Sequence, residues 1–268
     1  MQRSNSTETQ EARLYAEERR QAMADLVSQR GRLSVNEIAD AYDVTTETVR
    51  RDLSVLERAG IIRRVHGGAV PARALTVLET AVGDRDLAQA EQKDRIATAA
   101  LDLLPGPGGT VLLDAGTTTS RLATLLPGDL RLTVVTNAVP IATRLAGIST
   151  VELHLLPGRV RRTTQAAVGE DTVAAISLLR TDVVFLGANG VDADHGLTTP
   201  DHSEAAAKRA MVRAGRRVVV LADSSKIGQD HTVRFADLGE IDTLVTDDGV
   251  SDVDVKALRD RGVEVVVA

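Results

Sequence analysis

From residue 92 onward, seven short runs rich in Val, Leu, Ile and Thr alternate with stretches of helical spacing. The runs are Thr110–Asp114, Leu132–Thr136, Val151–Leu155, Asp182–Leu186, Arg217–Ala222, Thr243–Thr246 and Val263–Val267. The intervening stretches, near 92–104, 118–126, 138–146, 169–179, 203–214 and 253–261, read as helices. Continuous aliphatic runs mark strands buried on both faces, and their alternation with helices marks parallel pairing through crossovers. The pattern predicts an α/β domain over 92–268, built on a mainly parallel sheet.

The N-terminal quarter obeys a different rule. Residues 1–15 lack apolar periodicity and read as a disordered tail. Three helices follow in close order: 16–29, stopped by Gly31; 35–42, with Ser34 as N-cap; and a third from Thr45 or Thr46 to Ala59, with Gly60 after it. Two short strands around His66-Gly67-Gly68 come next, and Pro71 closes the unit. Residues 16–71 therefore read as a winged helix-turn-helix, and 72–91 as a linker.

On a wheel of the third helix, Val49, Leu53 and Leu56 share one face and should pack on the first two helices. The opposite face collects Glu47, Arg51, Ser54 and Arg58, with Arg50 on its flank. A helix buried on one side and bearing arginines on the other suits the major groove, where Arg pairs with guanine edges or phosphate. Thr45, Thr46 and Thr48 place hydroxyls at the helix start, where backbone N–H groups attract phosphate. Charge supports this reading. The whole chain carries −6, yet residues 44–75 hold six Arg against three acids. Nucleic acid meets the local patch and not the chain average. Aromatic residues make up 1% of the chain, which counts against a stacking platform for single strands.

Val44 to Leu53 (VTTETVRRDL), Leu56 to Gly60 (LERAG) and Arg64 to Ala69 (RVHGGA) together resemble the N-terminal signature of the DeoR family of sugar-metabolism repressors. The family usually has Ser where Thr45 stands, and Thr keeps the hydroxyl. The resemblance implies a DNA-binding regulator. Asp52, between arginines, reads as an orienting partner or helix contact, whereas Arg63, Arg64 and His66 would lie on the wing and touch the DNA backbone.

In the second domain, Asp114-Ala115-Gly116-Thr117-Thr118-Thr119 joins a strand to a helix, presenting N–H groups and hydroxyls to an anion. Thr136-Asn137, Gly187-Ala188-Asn189-Gly190-Val191-Asp192 and Ala222-Asp223-Ser224-Ser225-Lys226 follow other strands, and Lys226 adds a cation. Ligands of open parallel sheets bind at the carboxyl ends of strands, so these loops should converge. Neither a Walker loop nor GxGxxG is present, which removes the nucleotide and dinucleotide readings.

The same segments resemble the DeoR C-terminal sensor domain: Leu113 to Thr118, Val134 to Asn137, Phe185 to Asp192, Gly196 to Thr198 and Asp223 to Lys226. Leu156-Pro157-Gly158-Arg159 stands where the family has a Leu-Gly-Gly turn. The resemblance implies a sheet similar to ribose-5-phosphate isomerases and CoA transferases, and a phosphorylated sugar as effector. The phosphate would sit on Gly116–Thr119, with Lys226 adding charge and Asn137, Asn189 and Asp192 holding hydroxyls. The rival reading is an active sugar-phosphate isomerase fused to a DNA-binding domain. Those enzymes carry Gly-Ala-Asp-Glu where this chain has Gly187-Ala188-Asn189-Gly190, and an amide cannot take a proton from carbon. Asp192, Glu204, Lys208 and Lys226 remain as groups able to hold ligand.

Cysteine is absent, which excludes disulfides and thiolate chemistry and agrees with a cytoplasmic address. The five histidines show no metal-ligand spacing, and no cofactor is called for. No apolar run is long enough to cross a membrane. The expected partners are double-stranded operator DNA, an anionic sugar metabolite and a second copy of the chain, as a homodimer or homotetramer, because one small winged helix reads too short a site.

Overall fold

A computed structural model describes residues 16–30, 33–59, 61–65, 67–71 and 82–268. The tail over 1–15, Gly31, Gly60, His66 and 72–81 of the expected linker lie outside the described residues, as does the side chain of Arg63. The chain divides between residues 72 and 73 into two units.

In the first unit, helices α1 (Ala16–Arg30), α2 (Val35–Tyr42) and α3 (Thr46–Arg58) stand where the apolar periodicity puts them. Ser34 caps α2 in a reciprocal box with Glu37, and Asp43 ends the helix in a left-handed conformation at φ 47°. Val49, Leu53 and Leu56 of α3 are buried with Met23 and Val27 of α1 and Ile38 of α2. Each such side chain contributes about 1.5–3 kcal/mol by leaving water. The wing is a hairpin of β2 (Ile62–Val65) and β3 (Gly68–Pro71). A third strand, β1 (Leu33–Ser34), was not expected and pairs antiparallel with Gly68 and Ala69. It also explains Gly68: a Cβ there would lie 2.2 Å from the Leu33 carbonyl oxygen.

The second unit is built on a seven-stranded sheet in which every pairing is parallel. Its strands are β4 (Gly109–Leu113), β5 (Leu132–Thr136), β6 (Val151–Leu155), β9 (Thr181–Gly187), β12 (Gly215–Leu221), β14 (Thr243–Thr246) and β15 (Glu264–Val267). They run across the sheet in the order β15-β14-β12-β9-β4-β5-β6. Leu112, Val184, Leu186, Val218 and Val220 point to one face, packed by α8 (Glu170–Ser177), α9 (His202–Ala214) and α10 (Asp252–Asp260). Val111, Leu113, Val183, Phe185 and Val219 point to the other, under α5 (Ala90–Ala99), α6 (Thr117–Leu125) and α7 (Val139–Leu145). The all-aliphatic runs thus have the expected cause.

Three features depart from the expectation. Residues 82–91 are not linker: α4 (Val82–Leu87) and the first turn of α5 belong to the second unit, and Arg121 of α6 bonds Asp86 of α4 and Asp94 of α5. A short hairpin, β7 (Arg159–Val160) with β8 (Ala167–Val168), follows β6. The segment after β9 forms an antiparallel sheet of β10 (Gly190–Asp192), β11 (Gly196–Thr199) and β13 (Val233–Ala236). Strand order reverses between β4, whose successors run toward β6, and β9, whose successors run toward β15. A sheet opens a crevice at the carboxyl ends of strands at such a switch point.

Candidate functional site

The DNA-reading surface rests on how α3 is held. Thr45 is its N-cap, its hydroxyl accepting from Thr48 N at 3.2 Å and lying 3.0 Å from the Thr48 hydroxyl. Both threonines therefore shape the helix start, and Thr46 opens its first turn. Asp52 turns inward: Arg19 Nε donates to its carboxylate at 2.8 Å, and Arg20 lies 3.4 Å away. The expected helix contact is thus between α3 and α1. By absorbing its own carboxylate, α3 leaves an outer face of Arg50, Arg51 and Arg58, all exposed. Arg50 is only loosely matched by Glu47, at 4.0 Å. Ser54 is a bridge to the wing: Arg64 Nη1 donates to its hydroxyl at 2.9 Å, and the hydroxyl donates to Arg50 O. The Arg64 backbone N–H also reaches Glu57 at 2.9 Å. Arg58 Nε folds back onto Ser54 O.

In the second unit, the carboxyl ends of β4, β9 and β12 surround a cavity of about 230 Å³. It is smaller than the ~300–1,000 Å³ that holds drug-sized ligands, so it suits one small metabolite. The loop after β4 supplies Ala115, Gly116 and Thr117–Thr119; that after β9 supplies Gly187, Ala188 and Asn189; that after β12 supplies Asp223, Ser225 and Lys226. No side chain caps the start of α6 at Gly116, so its first-turn N–H groups face the cavity region without that partner. Three of the four expected loops do converge.

The fourth loop acts as scaffold. Thr136 Oγ1 donates to Leu113 O and accepts from Ala138 N. Asn137 accepts from Ala115 N at 3.1 Å and donates to Ala167 O at 3.0 Å, so its amide holds loops together, and it is not among the residues lining the cavity. Asp192 does not line the cavity either; its Oδ1 accepts from the backbone N–H groups of Asp194 and His195 in the turn between β10 and β11. Gly190 is not among the residues lining this cavity and is required for packing, since a Cβ there would meet Gln229 O at 2.3 Å. Arg159 is exposed on β7, away from the cavity.

Asp114 lies just below the floor, buried and ion-paired with Lys208 of α9, and it also accepts from Gly187 N at 3.1 Å. Burial pushes its carboxyl above the ordinary range, against the pull of Lys208. Lys208 donates to Gly187 O at 2.8 Å and sits 5.5 Å above the Phe235 ring. Glu204, one turn earlier on α9, accepts from Arg161 at 2.5 Å and from Thr164. Sequence reasoning missed the cavity residues of the α4–α5 segment, of which two are charged: Arg85 of α4 and Lys93 of α5. Lys93 is buried and donates to the Arg85 and Ala88 carbonyls; desolvation lowers its pKa. With Lys208 matched by Asp114 and Glu204 by Arg161, the other charged residues of the lining are Asp223 against Arg85, Lys93 and Lys226. The cavity is left with surplus positive charge.

Comparison with known proteins covers both units. Residues 19–73 match the family model of the DeoR-like helix-turn-helix domain, and residues 88–248 match that of the DeoR C terminal sensor domain. The HTH-type transcriptional regulator GlpR of Haloferax volcanii is 38% identical over 250 residues, 93% of this chain and 96% of that protein. The glycerol-3-phosphate regulon repressor of Escherichia coli K12 is 33% identical over 230 residues, 86% of this chain and 90% of that one. Among solved structures, ribose 5 phosphate isomerase A from Neisseria gonorrhoeae shows a partial likeness, with a TM-score of 0.37 and 17% identity over 52% of this chain and 54% of that chain.

Proposed function

That this chain belongs to the DeoR family of transcriptional regulators is the premise from which we propose its function. It represses carbohydrate-metabolism genes, and a phosphorylated sugar in the second unit modulates its grip on operator DNA. One observation carries the effector reading: the switch-point cavity combines an uncapped helix start, three threonine hydroxyls and unmatched cations. Fixed N–H dipoles and cations at a helix start favour a phosphate group. Gly116–Thr119 and Lys226 hold the phosphate, and Asn189 meets a hydroxyl. A relative named for a glycerol-3-phosphate regulon agrees with a small phosphorylated effector.

DNA is read by Arg50 and Arg51 in the major groove, while Arg58 and Arg64, held through Ser54, meet phosphates. The protein acts in the cytoplasm as a homo-oligomer; among the described residues no helix is long and apolar enough to cross a membrane. The chain turns over no sugar: Asp114 and Glu204 are each committed to a cation, Asp223 accepts from the backbone N–H and hydroxyl of Ser225, and Asn189 has no basic oxygen to take a proton. Thermal-shift screening against phosphorylated sugars tests the reading, because a ligand of the folded state alone must raise Tm. A panel that leaves Tm unmoved overturns it.

A further inference from the structure

Arg85 stands out among the polar groups. Its Nε and Nη2 atoms are buried, yet neither has a hydrogen-bond partner among the described residues. A buried guanidinium edge without an acceptor is costly, and native structures tolerate it where a ligand completes the pairing. Arg85 also lines the cavity.

The surroundings give this guanidinium a fixed place. Lys93 spends two of its three N–H donors on the Arg85 and Ala88 carbonyls, which ties off the end of α4. Gln89, between the two helices, sits in the left-handed region at φ 55° and turns the chain back toward the cavity. Arg121 of α6 joins this corner to the threonine cradle: its Nη2 donates to Asp86 O at 2.9 Å and its Nε to Asp94 at 2.8 Å. The corner and the cradle are therefore two walls of one cavity, both fastened to α6.

We propose that Arg85 is the anion-recognising residue of the α4–α5 wall, binding the effector's phosphate together with Lys226 and making the pocket selective for phosphorylated over unphosphorylated sugars. This rests on the effector reading above and adds the group that decides ligand class. Guanidinium and phosphate match in planar, two-bond geometry, which an ammonium cannot reproduce.

Titration calorimetry on the full chain tests this, with glucose 6-phosphate, fructose 6-phosphate, ribose 5-phosphate, inorganic phosphate and unphosphorylated glucose as probes. The wild type takes at least one phosphorylated sugar and ignores glucose. Arg85→Gln weakens that binding by more than about tenfold, the usual effect of removing one member of a desolvated charge pair. Arg85→Lys restores part of it. Ligand-free Arg85→Gln melts no lower than wild type, since an unmatched cation has been removed. Hydrogen exchange on the wild type, which needs no variant, shows the ligand slowing the amides of 84–93. Arg85→Gln binding within about twofold of wild type, while Lys226→Ala binds poorly, overturns this inference and leaves the effector reading intact. Absence of ligand protection over 84–93 overturns it equally. Failure of the wild type to bind any phosphorylated probe brings down both.

Discussion

Replacing Lys208 with Met keeps the length and apolar body of the side chain over Phe235 while deleting the charge that matches Asp114. The side chains of Lys208 and Asp114 are 5% and 3% exposed, so water cannot take the place of the lost partner. Breaking a buried ion pair from one side costs ~3–5 kcal/mol. Asp114 keeps its bond from Gly187 N, which puts the expected loss near the lower end, about 3 kcal/mol. For a domain of this size that lowers Tm by roughly 6–12 °C. The loss must also depend on pH. Burial makes folded Asp114 hold its proton more tightly than the unfolded chain does, so its contribution is favourable at low pH and is lost as pH rises through the folded value. Lys208 opposes that effect in the wild type, and the variant feels it in full. Urea unfolding at about pH 5 and about pH 8 should therefore show a deficit that grows with pH. Adding Asp114→Asn should recover a large part of it, because no buried charge then remains. A deficit under about 1 kcal/mol, equal at both pH values and unchanged in the double variant, would show that the pair does not hold the cavity floor.

Arg50→Ala with Arg51→Ala should abolish specific operator binding in gel shifts and flatten its salt dependence; each base-reading arginine is worth ~1–3 kcal/mol. Undiminished affinity would remove α3 from the groove. Gly68→Ala should destabilise the first unit by more than about 2 kcal/mol, since the added methyl meets the Leu33 carbonyl and one strand must shift. Circular dichroism melting checks this, and a wild-type melting curve contradicts the β1–β3 packing. Light scattering at working concentration should find at least a dimer, and a monomer with and without operator would refute the paired-site reading.

The sheet was legible because parallel strands buried on both faces leave an unbroken aliphatic signature, and three of seven, Leu132–Thr136, Val151–Leu155 and Thr243–Thr246, have the bounds read from the pattern. The β10–β11–β13 sheet was not, because its strands are three or four residues long and β10 and β11 are mostly the same Gly, Thr and Asp that mark turns. Asn137 and Asp192 show the corresponding limit at the site. Polar residues in strand-end loops look alike in one dimension, and their roles are decided by which way each amide or carboxylate is drawn by neighbours such as Ala115, Ala167 and His195. Arg85 and Lys93 belong to no motif and lie far upstream of the loops they face. Their place follows only from the corner at Gln89 and the clamp of Arg121.

Operator affinity measured by fluorescence anisotropy, with and without each phosphorylated sugar, tests the account most directly. The account predicts that one compound shifts wild-type affinity by roughly 5- to 150-fold, and that Lys226→Ala and Thr118→Val abolish the shift. Operator affinity indifferent to every phosphorylated sugar, or a shift that survives in both variants, would contradict it.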